Sequence, residues 1–133
     1  MNSSDVTAGT NATATHYNNL RKDVVLGIKI IGTDADASTI TIDLSDKTKS
    51  NVRNITLGGN RTLAISNATT GQAFVIRLIQ DGTGSRTVTW FSTIKWPAGV
   101  TPTLTTTASK TDVFGFIVTG TGTYDGFIIG QNL

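Results

Sequence analysis

Apolar and polar residues alternate most regularly between Ala73 and Phe91. Phe74, Ile76 and Leu78 share one face of an extended segment, and Val75, Arg77 and Ile79 share the other. After Asp81-Gly82-Thr83-Gly84-Ser85 the alternation resumes, with Val88 and Trp90 opposing Thr87, Thr89 and Phe91. The pattern predicts a β-hairpin over 73–91, closed by a glycine-rich turn of common length. Because both faces of its first strand are apolar, the hairpin has to be covered on both sides.

The rest of the chain reads as material for that cover. Ile40, Ile42 and Leu44 alternate with Thr39, Thr41 and Asp43, a strand with one wet face. Short strands at 54–57 and 62–66 flank the turn Gly58-Gly59-Asn60, and Trp96-Pro97-Ala98-Gly99 interrupts pairing because proline has no N–H to donate. The threonine-rich stretch 101–109 reads as extended and at an edge. A second hairpin is predicted over 112–130 about the turn Gly120-Thr121-Gly122-Thr123, with Phe114, Phe116 and Val118 opposing Gly115 and Ile117. Roughly eight short strands in one domain predict an all-β fold, an antiparallel β-sandwich of jelly-roll type. Phe74, Ile76, Leu78, Trp90, Phe114, Phe116 and Phe127 are its expected interior.

The N-terminal part breaks this pattern. Residues 1–13 are small and polar, and Tyr17, Leu20 and Val24 then recur at helical spacing, so 1–26 reads as an arm and short helix and 27–133 as the sandwich domain. The β-branched run within 23–31 also reads as strand, and the two readings agree only on a break near Gly27. Tyr17, Leu20 and Arg21 form the compact group of anchors next to a polar arm, which makes them the expected attachment residues.

Composition narrows the functional classes. Charged residues make up 15% of the 133 residues and hydrophobic ones 38%, with threonine and glycine filling the gap, as a strand-and-turn protein requires. A net charge of +2, with eleven basic residues scattered along the chain, offers no nucleic-acid footprint. No apolar run approaches the ~20 residues of a membrane helix, and no basic-then-apolar leader opens the chain. Without cysteine there is no disulfide framework or thiolate metal site.

Local motifs that suggest chemistry fail on spacing. Asp34-Ala35-Asp36-Ala37-Ser38 begins like a calcium loop but has Thr39 where glycine is required and Ser45 where glutamate is required. Gly120 to Gly126 is one residue too long for a dinucleotide fingerprint and leads into a strand. His16, the single histidine, has no triad partners at suitable spacing. The chain is therefore expected to be no enzyme and to need no cofactor. Trp96 and Tyr124, with Trp90, are the aromatic residues that could stack on a sugar ring if they reach the surface.

Thr83-Gly84-Ser85-Arg86-Thr87-Val88-Thr89-Trp90, Lys95-Trp96, Pro102-Thr103-Leu104-Thr105, Lys110-Thr111-Asp112-Val113-Phe114-Gly115 and Tyr124-Asp125-Gly126-Phe127 resemble a module of tailed-bacteriophage virion proteins, often placed at the C-terminal end of tail fibres. Asp5 to Thr10 and Tyr17 to Asp23 are similar to the opening of many phage tail and appendage proteins. The resemblance implies a virion structural protein. Since the chain shows neither heptads nor a repeat solenoid that would give reach, a capsid decoration (cement) protein on the capsid exterior is the expected role, held to the major capsid protein or other virion proteins. A tail fibre or baseplate protein that binds a host glycan is the alternative. Apolar positions on both faces of several strands further predict a homo-oligomer, and threefold sites of a shell favour a homotrimer.

Overall fold

The structure, a computed structural model, describes residues 30–133, of which Ile31–Leu133 form one compact unit. The expected N-terminal arm and helix, with Tyr17, Leu20 and Arg21, lie outside the described residues. Among the described residues nine strands follow in chain order: β1 (Gly32–Thr33), β2 (Thr39–Asp43), β3 (Val52–Leu57), β4 (Arg61–Ser66), β5 (Ala73–Gln80), β6 (Val88–Thr89), β7 (Ile94–Lys95), β8 (Thr111–Gly120) and β9 (Thr123–Gly130). A short 3₁₀ turn at Pro97–Gly99 falls where the proline interrupts pairing.

The strands form a six-stranded sheet, ordered β1-β3-β5-β8-β9-β7, and a three-stranded sheet, β2-β4-β6. Up to β6 the chain alternates between the two sheets, and within each sheet successive strands pair in parallel. This is a short parallel coil whose turns take between 21 residues, from Gly32 to its partner Arg53, and 27, from Arg61 to Val88. The two-sheet, all-β expectation holds, but the antiparallel jelly roll is replaced by mixed sheets. The coil carries no sequence repeat, because its connections differ in length.

The hairpin expected over 73–91 does not form. Ala73–Gln80 pairs in parallel with β3 and antiparallel with β8, while Val88–Thr89 belongs to the other sheet beside β4. The apolar residues on both faces of β5 mark a central strand rather than half of a ribbon. Residues 81–87 carry the chain across between the sheets, and side chains organise that crossing. The Asp81 carboxylate accepts the Thr83 and Gly84 N–H groups at 3.0 and 2.9 Å. Gln80 brackets Arg86, its amide donating to the Arg86 carbonyl and its oxygen accepting the Arg86 N–H, both at 2.9 Å. The second predicted hairpin does form, β8 against β9, with Gly122 at φ +67° in the two-residue connection.

One core lies between the sheets. Ladders of in-register residues fill it, Ile40 beside Leu63 and Ile42 beside Ile65 from one sheet, Ile55 beside Leu78 and Phe74 beside Phe116 from the other. Phe74, Ile76, Leu78, Phe114 and Phe116 are buried as expected, and Trp90 is half-buried against the cluster. Phe127 is a correction. The β8–β9 register sets it opposite Gly115 on the outer face of the large sheet, where it is exposed. The 101–106 stretch is extended without being a strand, held by Gln80 and Gln131 amides donating to the Thr105 and Thr103 carbonyls and by the buried Asp112 carboxylate accepting from Thr105.

Candidate functional site

The aromatic residues after β6 shape the surface between the sheets. Phe91 turns inward and meets the Tyr124 ring edge-on at 4.9 Å and Phe116 at 5.1 Å, while Trp90 packs edge-on against Phe114 at 5.0 Å and Trp96 at 5.1 Å. Because β6 pairs only with Arg61 and Thr62, β4 has no strand neighbour on that side beyond Thr62. The gap between this β4 edge and the β8–β9 turn is a groove of about 530 Å³.

Each wall of the groove comes from a different element. Thr62, Ala64 and Ile65 stand on β4, Trp90 and Ser92 on the segment leaving β6, and Thr121 and Tyr124 on the hairpin. Ser92 Oγ donates to the Gly122 carbonyl at 3.1 Å, which fastens the second wall to the third. Among the described residues no charged side chain lines the groove. Burial raises the Tyr124 hydroxyl above the usual phenol range, so this group stays neutral and able to donate throughout the physiological range. Neutral hydroxyls beside aromatic rings match a ligand that is itself neutral, hydroxyl-rich and apolar on one face.

The ionisable groups nearby serve the fold. Asp34 is held by Arg53 and Lys49, and Asp36 accepts two bonds from Arg61, both at 2.7 Å, so the pair that resembles the start of a calcium loop is occupied by cations. Asp112 accepts from Thr105 and from the Asn132 N–H. Among the described residues no three His, Cys, Asp or Glu side chains come together.

The sugar-stacking expectation needs correction in its residues. Trp96 is 9% exposed and Tyr124 4%, with their faces taken by Trp90, Phe114, Phe116, Phe74 and Phe91. Tyr124 reaches the groove, and Trp96 does not line it. Sequence reasoning gave Trp90 both to the interior and to the sugar-stacking group, and passed over Thr62, Ser92 and Thr121. The threonine-rich composition gave no signal to separate these hydroxyls from those of any wet strand face.

A family model described as "Putative phage tail fibre C-terminal domain" matches residues 37–123, from the start of β2 through the β8–β9 turn. The chain belongs to this family. It is thus a structural protein of the phage virion, as the sequence resemblance implies. No curated protein and no solved structure matches the chain. In this tail fibre domain the matched residues include β4, the segment leaving β6 and the β8–β9 turn, and the match ends one residue before Tyr124, the remaining wall of the groove.

Proposed function

We propose that this protein works on the tail side of the virion, as part of a fibre or adsorption apparatus, and that its groove binds a carbohydrate of the host surface. The family match, which takes in all of the groove lining except Tyr124, carries this reading. The neutral lining of hydroxyls and aromatic edges agrees with a sugar. The capsid-decoration expectation rested on the lack of heptads or of a repeat solenoid that would give reach, and the family match favours the tail reading over it. The protein acts by binding without turnover, joined to other virion proteins through the segment that carries Tyr17, Leu20 and Arg21.

Counting copies per particle tests the location. A tail component is present in a small multiple of the tail symmetry and is labelled by antibody at the tail, whereas hundreds of copies over the head would refute the tail assignment. A glycan array probed with the full chain tests the ligand. Binding that Ser92→Ala and Thr121→Val both weaken is the expected result; binding indifferent to both places the sugar elsewhere.

A further inference from the structure

The outer face of the large sheet carries apolar residues that nothing in the described residues covers. In β8 and β9 the positions opposite the core are Val113, Gly115 and Ile117 on one strand and Asp125, Phe127 and Ile129 on the other. Ile117 is 41% exposed, Phe127 43%, Ile129 59% and Leu133 62%. These are fixed in place. Leu133 exchanges backbone hydrogen bonds with Thr111 at 3.0 and 3.1 Å, and its side chain lies over Gly130. Ile129 leans over Gly115, where a Cβ would come 3.0 Å from its Cδ1. The four side chains leave on the order of 400 Å² of apolar surface in the open, within the ~300–600 Å² of the largest patch on a typical monomer, a patch that is often functional. That is about half of the ~800 Å² that each partner contributes to a standard interface, the apolar share such interfaces have.

The charges on this face show what kind of partner fits. Arg77 on β5 lies in register with Val113, two residues before Gly115, and Asp125 on β9 lies in register with Ile117, two residues after it. The cation and the anion therefore flank Gly115 symmetrically across the patch. Arg77 donates to Asn54 Oδ1 at 2.7 Å, a neutral partner, and forms no ion pair among the described residues. Asp125 has Lys95 beside it in the β7–β9 pairing, again without an ion pair. A lipid surface or a polyanion would not accommodate Asp125 within its contact. A second copy of this face would, since superposing two copies about Gly115 sets Arg77 of one over Asp125 of the other.

We propose that the outer face of the β8–β9 hairpin is a self-association surface, with Phe127, Ile117 and Ile129 as its apolar centre and Arg77 of one copy paired with Asp125 of the next. A two-fold contact forms this pair twice, and a closed ring forms it in succession. The surface lies on the opposite side of the sheet from the core, and its use does not depend on what the groove binds.

Sedimentation equilibrium on the full chain reads the association. The wild-type protein associates, and Phe127→Ser dissociates it while circular dichroism and the urea midpoint of the monomer stay unchanged. Arg77→Asp and Asp125→Arg each weaken association by ~10-fold or more, because each places like charges together. The double charge exchange restores it, which a merely structural role for either residue would not produce. A wild-type monomer overturns the proposal, as does an oligomer that Phe127→Ser and both charge reversals leave intact.

Discussion

The Arg53 guanidinium, 1% exposed, lies with Nη1 3.0 Å from Asp34 Oδ1 at the end of the core, in an inward position that Ile76 continues on β5. Its Nε donates to the Ser50 carbonyl at 2.9 Å and its Nη2 to the Asp43 carbonyl. One side chain thus ties the β1–β2 connection, the end of β2 and the start of β3.

Arg53→Met keeps the side-chain volume but leaves Asp34 with Lys49 Nζ, 2.8 Å away, as its remaining cation. Breaking a buried pair from one side costs about 3–5 kcal/mol, and Lys49 holds the expected loss near the lower end. Urea unfolding measures it. The double variant Arg53→Met/Asp34→Leu should recover a substantial part, because no carboxylate is then left unpaired. A double variant less stable than Arg53→Met alone would show that the pair is not what holds this end.

Phe116 stacks on Phe74 at 5.1 Å and meets Phe91 edge-on at the same distance, whereas Phe127 stands on the outer face. Phe116→Ala should cost about 3–5 kcal/mol, and Phe127→Ala, compared at concentrations where the chain is monomeric, within about 0.5 kcal/mol. Equal losses would mean that the faces of β8 and β9 are assigned the wrong way round.

Phe127 also shows how far the sequence could be read. Period-2 alternation gave the strands and most of the core, since burial on one face leaves a direct trace in which residues are apolar. Alternation carries no information about which strand lies beside which. Ala73–Gln80 and Val88–Thr89 look like a hairpin because a glycine-rich turn separates them, yet the Gln80 and Asp81 side chains shape those residues into a crossing between sheets. The parallel coil was hidden because its turns differ in length and so leave no repeat. The groove was hidden for a related reason: it depends on β6 ending at Thr89, a fact of pairing rather than of composition.

Asp81 holds a second testable relationship, with Arg86. The guanidinium hydrogen bonds, chiefly, and the Gly84 and Thr83 N–H groups bring the Asp81 carboxyl down to about 2 from 3.8, against a smaller opposing effect of burial. A carboxyl lowered on folding contributes stability above its unfolded pKa and loses it as pH falls through the folded one. The loss therefore falls between about pH 4 and pH 2, the interval set by those two values. Carbon-detected titration should find the Asp81 midpoint near 2, and Arg86→Gln should move it upward. A midpoint that ignores Arg86→Gln would mean that the backbone donors alone set it.

The crossing loop offers a sharp contrast between two of its glycines. Gly84 has φ +73°, and a Cβ there would lie 2.5 Å from the Thr106 carbonyl oxygen and 2.8 Å from the Ala108 nitrogen. Those atoms are backbone and are held in place: the Ser85 N–H donates to the same Thr106 carbonyl at 2.7 Å, and the Ser109 N–H donates to the Asp81 carbonyl at 3.1 Å. Gly84→Ala therefore meets both a left-handed backbone and a neighbour that cannot yield, so a loss of about 1–3 kcal/mol is expected. Gly82, two residues earlier, has open space around its Cβ position and no left-handed φ. Gly82→Ala should leave stability unchanged or raise it by about 0.4–1 kcal/mol through the entropy of the unfolded chain. Thermal unfolding of the two variants side by side decides the matter. If both melt alike, the 81–85 and 105–109 segments do not press together, and the crossing owes its path to the Asp81 and Gln80 side chains alone.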